Sequence, residues 1–104
     1  MKVKNRVMVQ FLNNAGPILT KKIPRKLYSV ISQNMIAFNT MATVYNKQLD
    51  ELDKEDQAGL NELLDMESEV VLQTINEDLL EKMDQDKYDA LTGVEYNSLD
   101  FLVE

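Results

Sequence analysis

No cysteine and no histidine occur among the 104 residues. Without cysteine there is no disulfide framework, no thiolate nucleophile and no thiolate metal site, a composition suited to a reducing compartment. Without histidine the side chain that most often moves protons near neutral pH is missing as well. Tryptophan is absent, and proline and glycine are scarce at two and three residues, so the chain has few breakers and reads as ordered. Gly16, Gly59 and Gly93 stand alone, and none opens a phosphate-binding loop. No apolar run approaches the roughly 20 residues needed to span a bilayer. The basic start Met1–Arg6 and the run Val7–Leu12 stop at Asn13-Asn14 with no cleavage site, which reads as mature sequence. The cytoplasm is the expected location.

One further absence stands out: residues 1–49 hold no acid. Lys2, Lys4, Arg6, Lys21, Lys22, Arg25, Lys26 and Lys47 give that half a charge of +8, whereas residues 50–104 hold all 18 acids and a charge of −15. Such a partition points to electrostatic steering, of one half onto the other or of the whole onto a charged partner.

With 44% hydrophobic and 28% charged residues, the composition fits a globular fold, and the length fits one domain, residues 1–104. Lys2-Val3-Lys4 alternates as a very short strand, and Asn5 is placed to cap a helix from about Arg6. Val7, Phe11, Leu12 and Ala15 form its apolar stripe, Gly16-Pro17 predicts an end or a kink, and Ile18 and Leu19 extend the stripe. From Pro24, apolar positions step by threes and fours. Tyr28, Met35, Ala42 and Leu49 take heptad position a, and Ile31, Phe38, Tyr45 and Leu52 take d. This predicts one long helix over residues 24–52, about 43 Å at 1.5 Å per residue. Its seam packs on helices of the same chain, with homodimerisation through the seam as the alternative.

After the polar break at residues 53–56, Leu60, Leu63 and Leu64 outline a third helix. Residues 69–75 are rich in β-branched side chains and predict a strand whose partner is residues 2–4. Asn76 caps a helix carrying Leu79, Leu80 and Met83, which Asp84-Gln85-Asp86 ends. Thr92-Gly93-Val94-Glu95 matches a capping box and opens a last helix. The expected fold is mainly α with a minor β component: a helical bundle around one long helix, with a small two-stranded pairing.

Chemistry is sparse. Eighteen acids in 55 residues produce chance carboxylate pairs without a substrate pocket, so no catalytic residue is assigned and the chain reads as non-enzymatic. Asp84, Asp86 and Glu95 fall at positions one, three and twelve of a calcium loop, but Tyr88 and Asp89 occupy the positions that need an oxygen ligand and a glycine. No metal and no cofactor follow. Binding is the remaining class. Lys21, Lys22, Arg25 and Lys26 are candidate contacts on one side, and Glu51, Asp53, Glu55 and Asp56 on the other. A protein partner fits both signs of charge. Acidic mimicry of nucleic acid, blocking a basic groove in a nuclease or DNA-binding protein, is the alternative. Nucleic-acid binding through the basic half is a third reading, opposed at long range by the net charge of −7.

Met1-Lys2-Val3-Lys4-Asn5, the step Lys21-Lys22-Ile23-Pro24-Arg25-Lys26 into a helix, Asn61-Glu62-Leu63-Leu64 before Glu69-Val70-Val71, Lys87–Thr92 and Leu99–Leu102 together resemble a class of small proteins encoded by phages and prophages of Gram-positive gut bacteria. The class brings no established activity and no functional residue. The resemblance implies a factor or minor component in particle assembly, with a virion protein as partner, or an accessory protein that disables a host nuclease.

Overall fold

A computed structural model describes the backbone of residues 1–104 and every side chain except that of residue 84. In chain order the elements are β1 (Lys2–Lys4), α1 (Asn5–Leu19), α2 (Arg25–Ala37), α3 (Asn39–Asp50), α4 (Gln57–Asp65), β2 (Glu67–Glu69), α5 (Glu77–Glu81) and α6 (Gly93–Leu99). Single 3-10 turns follow α5 at Lys82–Asp84 and α6 at Asp100–Leu102. The protein is mainly helical with one small antiparallel sheet.

The central helix is α1, not the expected rod over residues 24–52. Met8, Phe11, Ala15 and Ile18 are wholly buried along it, and α2, α3, α4 and α6 all pack on it. At 15 residues α1 is the longest helix, about 22 Å at 1.5 Å per residue. A straight 43 Å partner would overrun it. The chain instead turns at Phe38, whose ψ of −5° departs from helical geometry, so α2 and α3 are separate helices that both reach α1. The turn carries the buried Phe38 ring to 5.5 Å from Phe11 and 6.3 Å from Phe101, centroid to centroid. These two tilted contacts, with the edge-on contact of Phe11 and Phe101 at 5.8 Å, join α1, the turn after α2 and the last turn into one core. The buried stripe keeps its phase across the turn as Leu27, Ile31, Asn34, Phe38, Met41 and Tyr45. The expected d positions Ile31, Phe38 and Tyr45 are buried, but Leu27 takes the inward place expected of Tyr28, which is left exposed.

Pro17 does not stop α1, because the apolar stripe continues to Ile18. The carbonyl of Asn13, which Pro17 deprives of a donor, belongs to an exposed residue where water can meet it. The helix then closes through Thr20 N–H to Pro17 O and Lys21 N–H to Ile18 O.

Asn5 lies inside α1 rather than capping it. Its side chain donates to Leu63 O at 2.7 Å and its backbone N–H to Met66 O at 3.0 Å. Asn5 therefore binds two carbonyls at the end of α4, that of Leu63, which also accepts from Met66 N–H at 3.3 Å, and that of the cap residue Met66. The other expected caps form as drawn. Asn76 accepts from Asp78 N–H, and Thr92 and Glu95 make both bonds of the capping box.

The strand expected at residues 69–75 is shifted. β1 pairs with Glu67–Glu69, in register Lys2 to Glu69, Val3 to Ser68 and Lys4 to Glu67. Val70 still exchanges backbone bonds with Met1, but beyond it the segment meets α2 at Gln73, and a helix offers no backbone ladder. The buried Asn34 supplies the bonds instead: its Nδ2 donates to Gln73 O at 2.9 Å, and its Oδ1 accepts from Gln73 N–H at 2.7 Å. Ile75 then makes a single parallel bridge to Val103.

Candidate functional site

The fold closes part of the sequence charge partition. Lys2 and Lys4 stand opposite Glu69 and Glu67 across the sheet. Arg6 Nε lies 2.8 Å from Asp65 Oδ1, and the ammonium of Lys21 meets the buried carboxylate of Glu95 at 2.5 Å. Arg6 and then Lys4 hold the Asp65 carboxyl below its ordinary value. Burial pushes the Glu95 carboxyl up, but Lys21 and the amide and hydroxyl of Thr92 together bring it below its ordinary value. The segregated signs are thus first a device for joining the two halves of the chain.

Each expected contact residue can now be located. Lys21, Lys22, Arg25 and Lys26 cluster between α1 and α2. Lys21 is committed to Glu95 and to Ala90 O, and the Lys22 backbone is tied to Asp89. The side chains of Lys22, Arg25 and Lys26 are exposed and, among the described residues, make no ion pair. Glu51, Asp53, Glu55 and Asp56 lie on the α3–α4 loop, all exposed. Asp53 and Asp56 accept from Glu55 N–H and Gly59 N–H, so they shape the loop, whereas Glu51 and Glu55 are free of such bonds among the described residues. The two groups therefore occupy different loops.

A surface that the sequence reading passed over lies between α3 and β2. There a groove of about 500 Å³ is lined mainly by apolar atoms, from Met41, Val44 and Tyr45 on α3 and from Met66, Val70 and Val71 around β2. Val44, Met66 and Val71 are exposed, Val71 to 88%. Among the described residues the sheet has two strands, so the far edge of β2 carries no third strand there. Val70 and Met1 exchange both of their backbone bonds, and Asn5 N–H reaches Met66 O. In an antiparallel ladder alternate residues face opposite edges, so the backbone groups of Glu67, Glu69 and Val71 point to the open side. Met66, Ser68 and Val70, which share the face of Val3, line the groove, and Glu69 and Val71 from the alternate positions line it as well; Glu67 stands beside Lys4. The only sequence signal for this site was that Val44 and Val71 are apolar but out of phase with the buried stripes.

No helix among the described residues is long and apolar enough to cross a membrane, and no cluster of acids among them is placed to hold a metal ion. No family model, curated protein or solved structure matches this chain.

Proposed function

We propose that the chain is a non-catalytic protein-interaction module that receives an extended segment of a partner along the open edge of β2. The observation that carries this reading is the coincidence of an unpaired strand edge with an apolar groove beneath it. Backbone bonds to Glu67, Glu69 and Val71 supply affinity, and alternate side chains entering the groove supply selectivity. The chain contains a template for the occupant. On the inner edge Lys-Val-Lys lies against Glu-Ser-Glu, with valine inward and both lysines facing the glutamates. A partner segment that alternates basic and apolar residues repeats that complementarity on the outer edge. The resemblance to phage-encoded proteins directs the search for that partner to virion components and to host nucleases.

The test is a binding titration with a synthetic peptide of alternating lysine and valine, followed by amide NMR shifts. Glu69→Pro removes a donor from the open edge while sparing the bonds to β1, and Val71→Glu charges the groove. Both substitutions should abolish binding and leave the helical circular dichroism intact. Undiminished binding by both variants refutes strand addition. Concentration-dependent dimerisation lost in the same variants would identify a second copy as the occupant.

A further inference from the structure

Lys22, Arg25 and Tyr28 come from the entrance to α2, and Lys87 and Tyr88 from the segment after α5, 59 or more positions later in the chain. The fold stitches these segments together. Asp89 N–H donates to Lys22 O at 2.8 Å, Lys22 N–H donates to Asp89 Oδ2 at 2.7 Å, and Lys21 Nζ reaches Ala90 O at 3.2 Å. Between them lies a cleft of about 470 Å³, within the range of about 300–1,000 Å³ common to small-ligand sites. Its charged lining is wholly cationic among the described residues: Lys21, Lys22, Arg25 and Lys87. Two acids beside it are occupied, Glu95 by Lys21 and Asp89 by the Lys22 amide, while the exposed Asp86 precedes Lys87 in the chain and is not among the lining residues.

Two further features narrow the ligand. Leu19 and Ile23 give the cleft an apolar floor, and two tyrosine rings line it. Tyr28 is 49% exposed, and the Lys87 ammonium sits 5.1 Å from the centroid of the Tyr88 ring. A simple anion uses the cations but leaves the rings and the floor unexplained. A flat ring system joined to a phosphate uses all of them. The first turn of the 13-residue α2 adds amides with no side-chain cap and no acid within the turn, which favours negative charge at the same end.

We propose that this cleft binds a nucleotide unit, its base stacked on Tyr28 and Tyr88 and its phosphate held by Lys22, Arg25 and Lys87. The base must be unpaired to lie on the rings, so the ligand is a free nucleotide or single-stranded nucleic acid and not a duplex. The overall charge of −7 weakens long-range capture of a polyanion, so binding is local and depends on stacking.

The test uses thymidine monophosphate, a six-nucleotide oligothymidylate, the corresponding duplex and inorganic pyrophosphate, each titrated at two salt concentrations and followed by amide NMR shifts. Shifts should cluster at residues 21–28 and 87–89. With three phosphates neutralised, the logarithm of oligonucleotide affinity should fall with that of salt at a slope of about 2, and Arg25→Ala should reduce the slope by about 0.7. Tyr28→Ala and Tyr88→Ala should each weaken binding about fivefold or more, with unchanged helical dichroism. Oligonucleotide binding tighter than that of the monophosphate makes single strands the source of the ligand; equal binding makes it the free nucleotide. Either supports the proposal. Pyrophosphate binding as tightly as either, with no effect of the tyrosine substitutions, overturns it. So does duplex binding as tight as the single strand, shifts elsewhere on the protein, or no binding at all.

Discussion

Replacing Asn34 by alanine tests how the chain holds a segment that has no ladder. The side chain is 1% exposed and exchanges two hydrogen bonds with the backbone of Gln73. Each bond contributes about 1 kcal/mol net, and a backbone group left dry and unpaired costs a further 1–3 kcal/mol or so. The segment cannot simply swing into water, because Val70 and Ile75 are buried at its two ends and Ile75 N–H donates to Leu102 O at 2.8 Å. Partial hydration of Gln73, whose side chain already faces solvent, offsets part of the cost. The expected destabilisation is about 2–4 kcal/mol, a large share of the roughly 5–15 kcal/mol typical of a domain. Urea unfolding followed by circular dichroism measures it, and hydrogen exchange of the Gln73 amide reports the local effect. Asn34→Asp keeps an acceptor but sets a carboxylate against Gln73 O, so its folded pKa should be raised. The folded state then binds more protons than the unfolded state, and the deficit of this variant should shrink as pH falls. A change under about 0.5 kcal/mol in Asn34→Ala, with Gln73 still protected from exchange, would show that the amide pair does not hold the segment.

Two other perturbations follow from the same contacts. The lowered pKa of Glu95 means that its contribution to stability is complete above its ordinary value of 4.5 and is lost as pH falls through the lower folded value. The stability difference between the wild type and Lys21→Met should therefore be largest near neutral pH and narrow on acidification; a difference constant from pH 7 to 3 in urea titrations would contradict the ion pair. Phe38→Ala empties the junction of three aromatic rings and should cost about 3–5 kcal/mol in the same measurement. A cost of about 1 kcal/mol or less would mean that the turn between α2 and α3 does not depend on that ring.

The elements that were legible in the sequence are those controlled by neighbours a few positions away. Thr92 and Glu95 serve each other across one helical turn, Asn76 needs only the amide two residues on, and Leu60, Leu63 and Leu64 share a face by periodicity. The errors arose where a distant partner changed the outcome. The step pattern from Tyr28 to Leu52 fits an unbroken helix equally well, and only the short reach of α1 and the place for Phe38 among the other phenylalanines divide it. Asn5 looks like the cap of its own helix, yet the carbonyls it serves lie 58 or more residues away. Val71 to Thr74 continue a strand-like pattern, but the group that binds Gln73 among them is a buried amide on a helix.

The candidate surfaces divide in the same way. The cations from Lys21 to Lys26 were visible as a cluster, because their proximity is covalent. That Lys21 is committed to Glu95, that Tyr28 faces outward, and that Lys87 and Tyr88 complete the cleft are results of folding. The open edge of β2 left still less trace, since an unpaired strand is defined by a neighbour that is missing.

Composition and local spacing by themselves determined a helical protein with short polar caps, no thiol or imidazole chemistry, and two halves of opposite charge. Tertiary structure decided which charges neutralise one another, where the long periodic segment turns, and which backbone and aromatic groups are left facing solvent. The physical reason is range. Helix propensity and capping act over three or four residues, whereas burial and ion pairing depend on groups brought together from opposite ends of the chain.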